Sequence, residues 1–353
     1  MWIERRSQPS RLLSLTAPLL AVAATLLFSS LLVAIAGAPI GQAYSHLLEG
    51  AFGSRFAWSE TLTRATPLML TGLAAAIAFR ARLYNIGAEG QLYAGALAAV
   101  AIGGAHGGAA ASLPMPLLFG LMMAGAALAG ALLLLGPALL KSRLGVDEVV
   151  TTLLLNFIIL LFVSMMLDGP MKDPTAMGWP QSVVLHSELE LSRLMPRTRL
   201  HSGLLIGVGL AVLTWVVLRF TRWGFEIRAV GHNARAAAFA GMPVNRVVIL
   251  VALASGAMAG LAGAIEVAGR TSYVTLDMSP GYGYAGIVIA MLAALNPIAV
   301  VIAAVFVAGM QVGADSMSRA VGVPTFIADV IVAASLLAML IAAMFSHFRL
   351  RRG

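Results

Sequence analysis

Two residue classes are scarce in this 353-residue chain: cysteine is absent, and charged residues make up only 11%. Without cysteine, neither a disulfide nor a thiolate metal site can form. A soluble globular chain is about half apolar and about a quarter charged, whereas here 60% of the residues are hydrophobic and the mean hydropathy is +0.92. So little polar surface cannot cover a soluble core. The composition therefore excludes a soluble enzyme, a nucleic-acid-binding domain and a disordered regulator, and it predicts one polytopic membrane domain over residues 1–353.

Motifs that carry chemistry are scarce as well. No G-x-x-x-x-G-K-[ST] stretch is present to cradle nucleotide phosphates, and neither a nucleophile elbow nor an H-E-x-x-H pair occurs. The six histidines are scattered, and none lies within four residues of another. We therefore predict that this chain is not an enzyme and that it has no catalytic residue, no metal site and no cofactor of its own.

What the sequence has in abundance is long apolar runs. About 20 apolar residues cross a bilayer as a helix, so the pattern predicts an all-α polytopic bundle of about ten transmembrane segments, with residues 12–346 as its membrane-embedded core. The first run exceeds the roughly 7–15 residues of a signal-peptide core, so we interpret it as a retained first helix. The runs lie near 12–38, 61–79, 84–105, 113–140, 149–167, 203–221, 244–268, 283–295, 297–315 and 325–346.

The two runs around 283–315 are short, and they are separated by Asn296 and Pro297. They fit either a tight hairpin across the membrane or a re-entrant pair. A re-entrant pair requires cover, since non-helical backbone at membrane depth must face protein or a water cavity. Several runs are rich in Ala, Gly and Met, and small residues let helices approach one another closely in lipid.

Basic residues indicate the orientation. The formal net charge is +8, and only two of the 23 basic residues are lysine. With a cytoplasmic N-terminus, 15 of the 23 fall in inner segments and 8 in outer ones, in agreement with the positive-inside rule. We therefore predict both termini in the cytoplasm, an external loop at 168–202 and a cytoplasmic segment at 222–246. On a membrane protein such charge indicates topology rather than contact with nucleic acid, and the expected surroundings are membrane lipid.

The segment 222–246 carries the signals of a short helix. Asn233 suits an N-cap because its side chain can accept a backbone N–H, and residues 234–240 are strong helix formers. Gly241 suits the C′ position, and Pro243 prevents the helix from continuing. These features favour a capped docking helix over an ordinary basic loop.

Three motifs follow one another along the chain. Residues 85–91 read Asn-Ile-Gly-Ala-Glu-Gly-Gln, residues 147–156 read Asp-Glu-Val-Val-Thr-Thr-Leu-Leu-Leu-Asn, and residues 228–241 match R-A-x-G-x-N-x-x-A-A-x-x-x-G. Together they resemble the permease subunits of bacterial ABC importers of the branched-chain amino acid, ribose and nucleoside superfamily, and the first two resemble its nucleoside and simple-sugar branch. The chain departs at Ala234-Arg235, where many relatives have Pro-Glu or Pro-Lys.

The resemblance implies an inner-membrane permease that imports nucleosides or simple sugars by alternating access. Its expected partners are cytoplasmic ATP-binding subunits that use ATP and Mg, an external solute-binding protein, and a second permease subunit, with a heterodimer favoured. The alternatives are an ion-coupled secondary transporter, which does not require a docking helix, and a structural membrane anchor. The residues implied to couple the chain to the ATPase are Arg228, Gly231, His232, Asn233, Ala236, Ala237 and Gly241.

Polar residues within two apolar runs are candidates for the translocation path. Glu89 lies about 9 Å into its run at 1.5 Å per residue, where an ionisable group faces a cavity or a partner. It therefore fits a path position and also an ion pair with Arg80 or Arg82. Asn156 fits an interhelical hydrogen bond and a path contact equally well. The candidate path residues are Asn85, Glu89, Gln91 and Asn156.

Two further pairs lie near the ends of apolar runs. Tyr282 and Tyr284 are interpreted as interfacial anchors rather than as groups that stack on a sugar or base. Glu266 and Arg270 stand four residues apart on a predicted helix, a spacing that predicts a local ion pair.

Overall fold

The computed structural model of the chain describes residues 2–5, 23, 26–105, 113–324, 326–327, 329–334, 337–338, 341 and 348–351. Helices dominate, as the sequence predicts. In chain order the elements are β1 (Trp2–Arg5), α1 (Leu26–Ile35), α2 (Ile40–Phe52), α3 (Arg55–Arg80), α4 (Ala88–Gly103), α5 (Met115–Leu144), α6 (Glu148–Asp168), α7 (Gly203–Phe220), α8 (Arg222–His232), α9 (Ala234–Phe239), α10 (Val244–Glu266), α11 (Tyr282–Leu292), α12 (Pro297–Val321) and β2 (Phe348–Arg351).

The chain divides into two compact units, one of which combines residues 1–61 with residues 305–353. In this unit β1 pairs antiparallel with β2, a short two-stranded sheet that departs from the predicted all-helical pattern. Helices α1 and α2 bend by 119° at the break between them. Their apolar side chains pack with the end of α12 in a cluster that includes Val33, Ala43 and Met317.

The second unit, residues 62–304, contains α4 to α11. Glycines bring α4, α5 and α10 into backbone contact there. A Cβ atom on Gly95 would collide with the carbonyl oxygen of Gly260, and one on Gly130 would collide with that of Gly256. The prediction that small residues pack these runs closely against protein is therefore confirmed. These three helices form the packed centre of the second unit.

Local signals explain several helix boundaries. α6 begins after Asp147, whose side chain accepts a hydrogen bond from the backbone N–H of Val149 at 2.8 Å. α5 begins after Pro114 and ends at Gly145, which adopts a φ of +68°, the left-handed conformation that glycine takes at the C′ position. α10 continues into a π-helical turn over Val267–Thr271.

The described residues contain six helices long and apolar enough to cross a membrane, or seven if α1 and α2 form one bent span. α4 has 16 residues and α11 only 11. At 1.5 Å per residue α11 is about 16 Å long, roughly half of the hydrocarbon core. The predicted runs 12–38 and 325–346 lie partly outside the described residues, so a total of about ten spans stays a prediction.

The predicted external loop, 168–202, connects α6 to α7. Its regular structure in the described chain is a 3-10 turn over Ser187–Leu189. Backbone hydrogen bonds hold the loop to the segment after α10, since the N–H of Leu185 donates to the carbonyl of Ser272 at 2.7 Å. α6 ends at Asp168 and α7 begins at Gly203, and an external position of the loop between them stays a prediction.

Candidate functional site

Two helices, rather than one, occupy the segment predicted to dock. α8 begins after Thr221, whose hydroxyl accepts from the N–H of Gly224 at 3.1 Å, and α9 begins after Asn233, whose Oδ1 accepts from the N–H of Ala236 at 3.1 Å. The sequence pattern predicts α9 but not α8, because glycines within α8 lower its helix propensity. We call α8 and α9 together the coupling segment.

The end of α9 has the predicted glycine cap. Gly241 adopts a φ of +80°. Its N–H donates to the carbonyl of Ala238, and the N–H of Met242 donates to that of Ala237, each at 3.0 Å. These are the paired bonds of a Schellman motif. The capping predicted at both ends of α9 is therefore confirmed.

α9 is fixed by one face and open on the other. Ala237 is buried in a cluster with Ile227 and Val230 of α8 and Val247 of α10, whereas the other residues of α9 are exposed. Phe239 is the extreme case, with 97% of its surface exposed. A large aromatic side chain held outward on a rigid helix is suited to a partner's pocket. The available sequence signal was an aromatic residue within an alanine-rich, otherwise solvated helix.

The residues predicted to couple the chain to an ATPase come together in this segment. Arg228, Gly231 and His232 lie in α8, Asn233 lies between the helices, Ala236 and Ala237 lie in α9, and Gly241 follows it. Two of them face inward, because Ala237 is buried and a Cβ atom on Gly231 would collide with the carbonyl oxygen of Arg80. His232, Asn233, Ala236 and Gly241 are exposed and Arg228 is half-buried. The coupling role of these residues stays a prediction.

A buried polar network closes the break between α3 and α4. Asn85 and Gln91 exchange two side-chain hydrogen bonds of 2.9 Å. The amide of Asn85 also donates to the hydroxyl of Ser255 at 3.1 Å, and that hydroxyl donates to the carbonyl of Ala74 at 2.7 Å. None of the three side chains is more than 1% exposed. The non-helical turn before α4 is therefore tied to α3 and α10 through side chains.

Asn156 joins α6 to the same break. Its Oδ1 accepts from the N–H of Gly90 at 2.8 Å, and its Nδ2 donates to the carbonyl of Ile86 at 2.8 Å and to the hydroxyl of Tyr284 at 3.2 Å. The side chain is fully buried. The predicted interhelical hydrogen bond is confirmed, and Asn156 additionally reaches α11.

Glu89 of α4 contacts the N-terminus of α11, and its position along α4 differs from the prediction. α4 begins only at Ala88, so Glu89 belongs to its first turn rather than lying 9 Å along a helix. Its Oε2 accepts from the N–H of Gly283 at 2.6 Å. Among the described residues it forms no ion pair with Arg80 or Arg82. A carboxylate at a helix N-terminus is stabilised by the unsatisfied N–H groups and by the helix dipole.

Arg80 contacts the opposite end of α11. Its Nε donates to the carbonyl of Leu295 at 3.0 Å. α11 closes in a Schellman turn in which Ala294, at a φ of +48°, occupies the place that glycine usually takes, and Leu295 follows at +60°. Left-handed conformations of non-glycine residues cost about 1–3 kcal/mol each. α11 is thus held between a carboxylate at its N-terminal end and a guanidinium at its C-terminal end, an arrangement that complements its dipole.

The predicted ion pair between Glu266 and Arg270 is present. Arg270 also donates to the hydroxyl of Tyr282 at 2.9 Å. Tyr282 is completely buried, so its interpretation as an interfacial anchor is wrong: its hydroxyl and its carbonyl both bond within the chain. Tyr284 is 39% exposed, and its hydroxyl contacts Asn156.

His201 is a buried titratable group outside the spanning helices. Its Nδ1 accepts from the N–H of Gly203 at 3.2 Å, and the residue has no exposed surface. Burial, with a smaller contribution from the positive charge of Arg270, lowers the pKa of His201 to about 4. Within the described ranges, no group of three or more His, Cys, Asp or Glu residues is placed to hold a metal ion.

The sequence of this chain matches those of known proteins over most of its length. The family described as branched-chain amino acid transport system / permease component matches residues 57–344. The guanosine ABC transporter permease protein NupP of Bacillus subtilis is 36% identical over 92% of this chain and 92% of its own. The glucose ABC transporter permease protein TsgB13 of Haloferax volcanii is 37% identical over 98% and 92%, and the nucleoside ABC transporter permease protein NupB of Lactococcus lactis is 30% identical over 90% and 88%.

Two weaker matches come from the same organisms as NupP and NupB. The guanosine ABC transporter permease protein NupQ of Bacillus subtilis is 27% identical over 70% of this chain and 77% of its own. The nucleoside ABC transporter permease protein NupC of Lactococcus lactis is 26% identical over 68% and 76%. The range matched by the family covers most of α3 and every element from α4 to α12.

Proposed function

Since the chain belongs to the family of branched-chain amino acid transport system permease components, we propose that it carries nucleosides or simple sugars into the cell as the membrane subunit of an ABC importer. The family match confirms the resemblance drawn from the three motifs. The observation that supports the mechanism is the coupling segment, in which α9 is capped at both ends, packed on the chain by one face and exposed on the other. A permease without an ATP-binding motif of its own needs such a surface to receive movement from the subunit that hydrolyses ATP.

The solute class rests on the relatives and on the first two motifs. NupP is named for guanosine, NupB for nucleosides and TsgB13 for glucose, which are all neutral molecules rich in hydroxyl groups. Residues 85–91 and 147–156 resemble the nucleoside and simple-sugar branch. We therefore expect a neutral, hydroxyl-bearing solute of one of these two classes.

The proposed partners follow from the same mechanism. ATP-binding subunits dock on the exposed face of α9 and supply ATP and Mg, and an external solute-binding protein delivers the solute. A second permease completes the pathway. A heterodimer is favoured because two permease proteins named for guanosine, NupP and NupQ, occur in one organism, and two named for nucleosides, NupB and NupC, occur in another.

The four candidate path residues are proposed to border the solute's route. In this conformation Asn85, Glu89, Gln91 and Asn156 are buried and bonded within the chain. Two of them contact α11, a helix too short to cross the bilayer, and short helices of this kind border substrate sites in other transporters. A movement of α11 would free their polar groups to replace part of the solute's hydration.

The orientation is proposed from the distribution of basic residues. The chain lies in the inner membrane with both termini and the coupling segment in the cytoplasm, and the loop 168–202 lies outside. Single cysteines test this cleanly because the chain has none. A cysteine at Ser187, which is exposed, should react with an impermeant reagent in intact cells, and one at exposed Ala234 should not. The reverse pattern would contradict the orientation.

Uptake by cells tests the function itself. Cells that express the complete transporter, with and without this chain, would be supplied with labelled guanosine, other nucleosides and glucose. We expect uptake of one class that requires this chain and ATP and that persists when an ionophore collapses ion gradients. Uptake that follows the gradient and needs no ATPase would instead identify an ion-coupled secondary transporter.

A further inference from the structure

We propose that Arg80 is a positioning residue that links the coupling segment to α11, so that movement of α8 and α9 shifts the short helix that covers Glu89 and Asn156. The inference rests on the proposed function, because it takes an ATPase docked on the coupling segment as the source of the movement. It is supported by three sets of contacts within residues 62–304.

The first contact joins α8 to the end of α3. Gly231 lies directly against the carbonyl oxygen of Arg80, since a Cβ atom added there would collide with it. Arg228, on the same helix, brings a like charge that acts on the guanidinium of Arg80. The apolar side chains of Ile227 and Ala81 share one core cluster across this junction. Because such packing does not compress, α8 cannot approach α3 without displacing Arg80.

The second contact joins Arg80 to the turn between α11 and α12. Its Nε donates to the carbonyl of Leu295, which forms a charge-assisted hydrogen bond. Ala294 and Leu295 are both left-handed, and strained backbone of this kind persists only where the surrounding structure holds it. A displacement of Arg80 would therefore remove one of the contacts that hold this turn in its strained conformation.

The third set of contacts joins α11 to the candidate path. A Cβ atom on Gly283 would collide with the backbone of Glu89, and one on Gly286 would lie 2.6 Å from the hydroxyl oxygen of Thr71. Tyr284 accepts the bond from Asn156. Since α11 is in backbone contact with its neighbours, a shift imposed at its C-terminal end must alter these contacts at its N-terminal end.

The test uses the complete transporter with Arg80→Gln, which removes the charge and the Nε donor. We expect the variant to copurify with the ATPase and to hydrolyse ATP, while the amount of solute transported per ATP falls about fivefold or more, the lower end of typical coupling between sites. Arg80→Lys keeps a cationic donor and should retain most of the transport per ATP. Arg143→Gln, at an exposed arginine near the end of α5, is the matched control and should behave as the wild type.

A second readout does not depend on the solute. Hydrogen exchange of residues 284–298 would be compared in nucleotide-free and ATP-bound complexes. We expect ATP to change exchange in the wild type and not in Arg80→Gln. An ATP-dependent change of equal size in both would overturn the inference. If neither nucleosides nor sugars are transported, the proposed solute class fails, yet the exchange measurement still decides the role of Arg80.

Two further variants separate transmission from simple stabilisation. Adding Ala294→Gly and Leu295→Gly to Arg80→Gln relieves the strained turn, and we expect it to raise the amount of folded complex without restoring transport per ATP. Full restoration would show that Arg80 only stabilises the turn.

A second variant is used if Arg80→Gln does not assemble. Gly231→Ala displaces α8 from Arg80 and leaves the bond to Leu295 in place. It should lower transport per ATP, whereas Gly136→Ala, where a Cβ atom meets open space, should not; equal coupling in both would overturn the inference.

Discussion

The coupling segment and the break between α3 and α4 carry two of the three sequence motifs, but their polar residues lie in opposite environments. In the coupling segment the cap on Asn233 spans three residues, and the neighbouring Phe239 is 97% exposed. At the break, Asn85 bonds to Ser255, 170 residues away, and Asn156 bonds to Gly90, 66 residues away, with no exposed surface on either asparagine.

The difference shows what a polar motif residue does in each setting. On the exposed segment it shapes a short helix that is proposed to dock on the ATPase, and a substitution there should leave the rest of the chain intact. At the buried break it determines how α3, α4, α6 and α10 meet. Any role of that network in transport must therefore be exerted through a change in the fold, and substitutions should be felt first as lost stability.

The largest effect on the chain's own stability is expected from Asn156→Leu. The substitution leaves the N–H of Gly90 and the carbonyl of Ile86 without a side-chain partner, at a cost of about 1–3 kcal/mol for each unsatisfied group. Thermal unfolding of the purified chain should show a clearly lowered midpoint. Ile158→Leu, at a position 57% exposed on the same helix, is the control. An unchanged midpoint for Asn156→Leu would contradict the structural role of the network.

A second buried group should make stability depend on pH. His201 has a folded pKa of about 4, below the unfolded value of about 6.5. The unfolded state therefore takes up the proton first, so stability is fully present above pH 6.5 and is lost as the pH falls toward 4. Between pH 7 and pH 5 the loss is roughly 1–2 kcal/mol at about 1.36 kcal/mol per pKa unit. Unfolding measured at both values should show this loss in the wild type and a smaller one in His201→Asn; equal losses would contradict it.

The sequence predicts most of what is local. Asn233 and Gly241 cap α9 through bonds to residues a few positions away, so residue type and spacing suffice. The spacing of Glu266 and Arg270 likewise predicts their ion pair. α8 is missed because Gly224 and Gly231 look like helix breakers.

The partners of Asn156, Glu89 and Tyr282 are not predictable from the sequence, because each bonds to a residue more than ten positions away that only the tertiary fold brings close. The role of the glycines in α8 is also hidden, because it depends on which helices pack against them. A Cβ atom on Gly224 would collide with the carbonyl of Val217, just as one on Gly231 would collide with that of Arg80, and both contacts are made with other helices. Composition is enough to predict a membrane protein. Only the contacts between helices show which glycine ends a helix and which lets two helices pack closely.

A smaller and strictly local effect is expected from Asn233→Ala. Loss of the N-cap bond costs about 0.5–2 kcal/mol of helix stability, and α9 has only six residues. We expect the overall unfolding midpoint to stay close to that of the wild type, while amide exchange of α9 becomes faster and copurification of the ATPase falls. Asn233→Ser, which can still accept the N–H of Ala236, should restore both. Slow exchange of α9 in the alanine variant would show that the cap is dispensable.

The smallest effect on the chain itself is expected from Phe239→Ser, which separates the two regions most sharply. Because 97% of Phe239 is exposed, the substitution removes no packing within the chain, and the unfolding midpoint should not change. If the aromatic ring fills a pocket on the ATPase, its loss should weaken binding by about 1–2 kcal/mol, as for other aromatic anchors. At 1.4 kcal/mol per factor of ten, this is a loss of roughly fivefold to 25-fold in affinity. Phe220→Ser, at a phenylalanine 68% exposed at the end of α7, is the matched control and should bind normally. Titration of purified ATPase onto each variant in detergent measures the difference, and equal affinity would remove Phe239 from the interface.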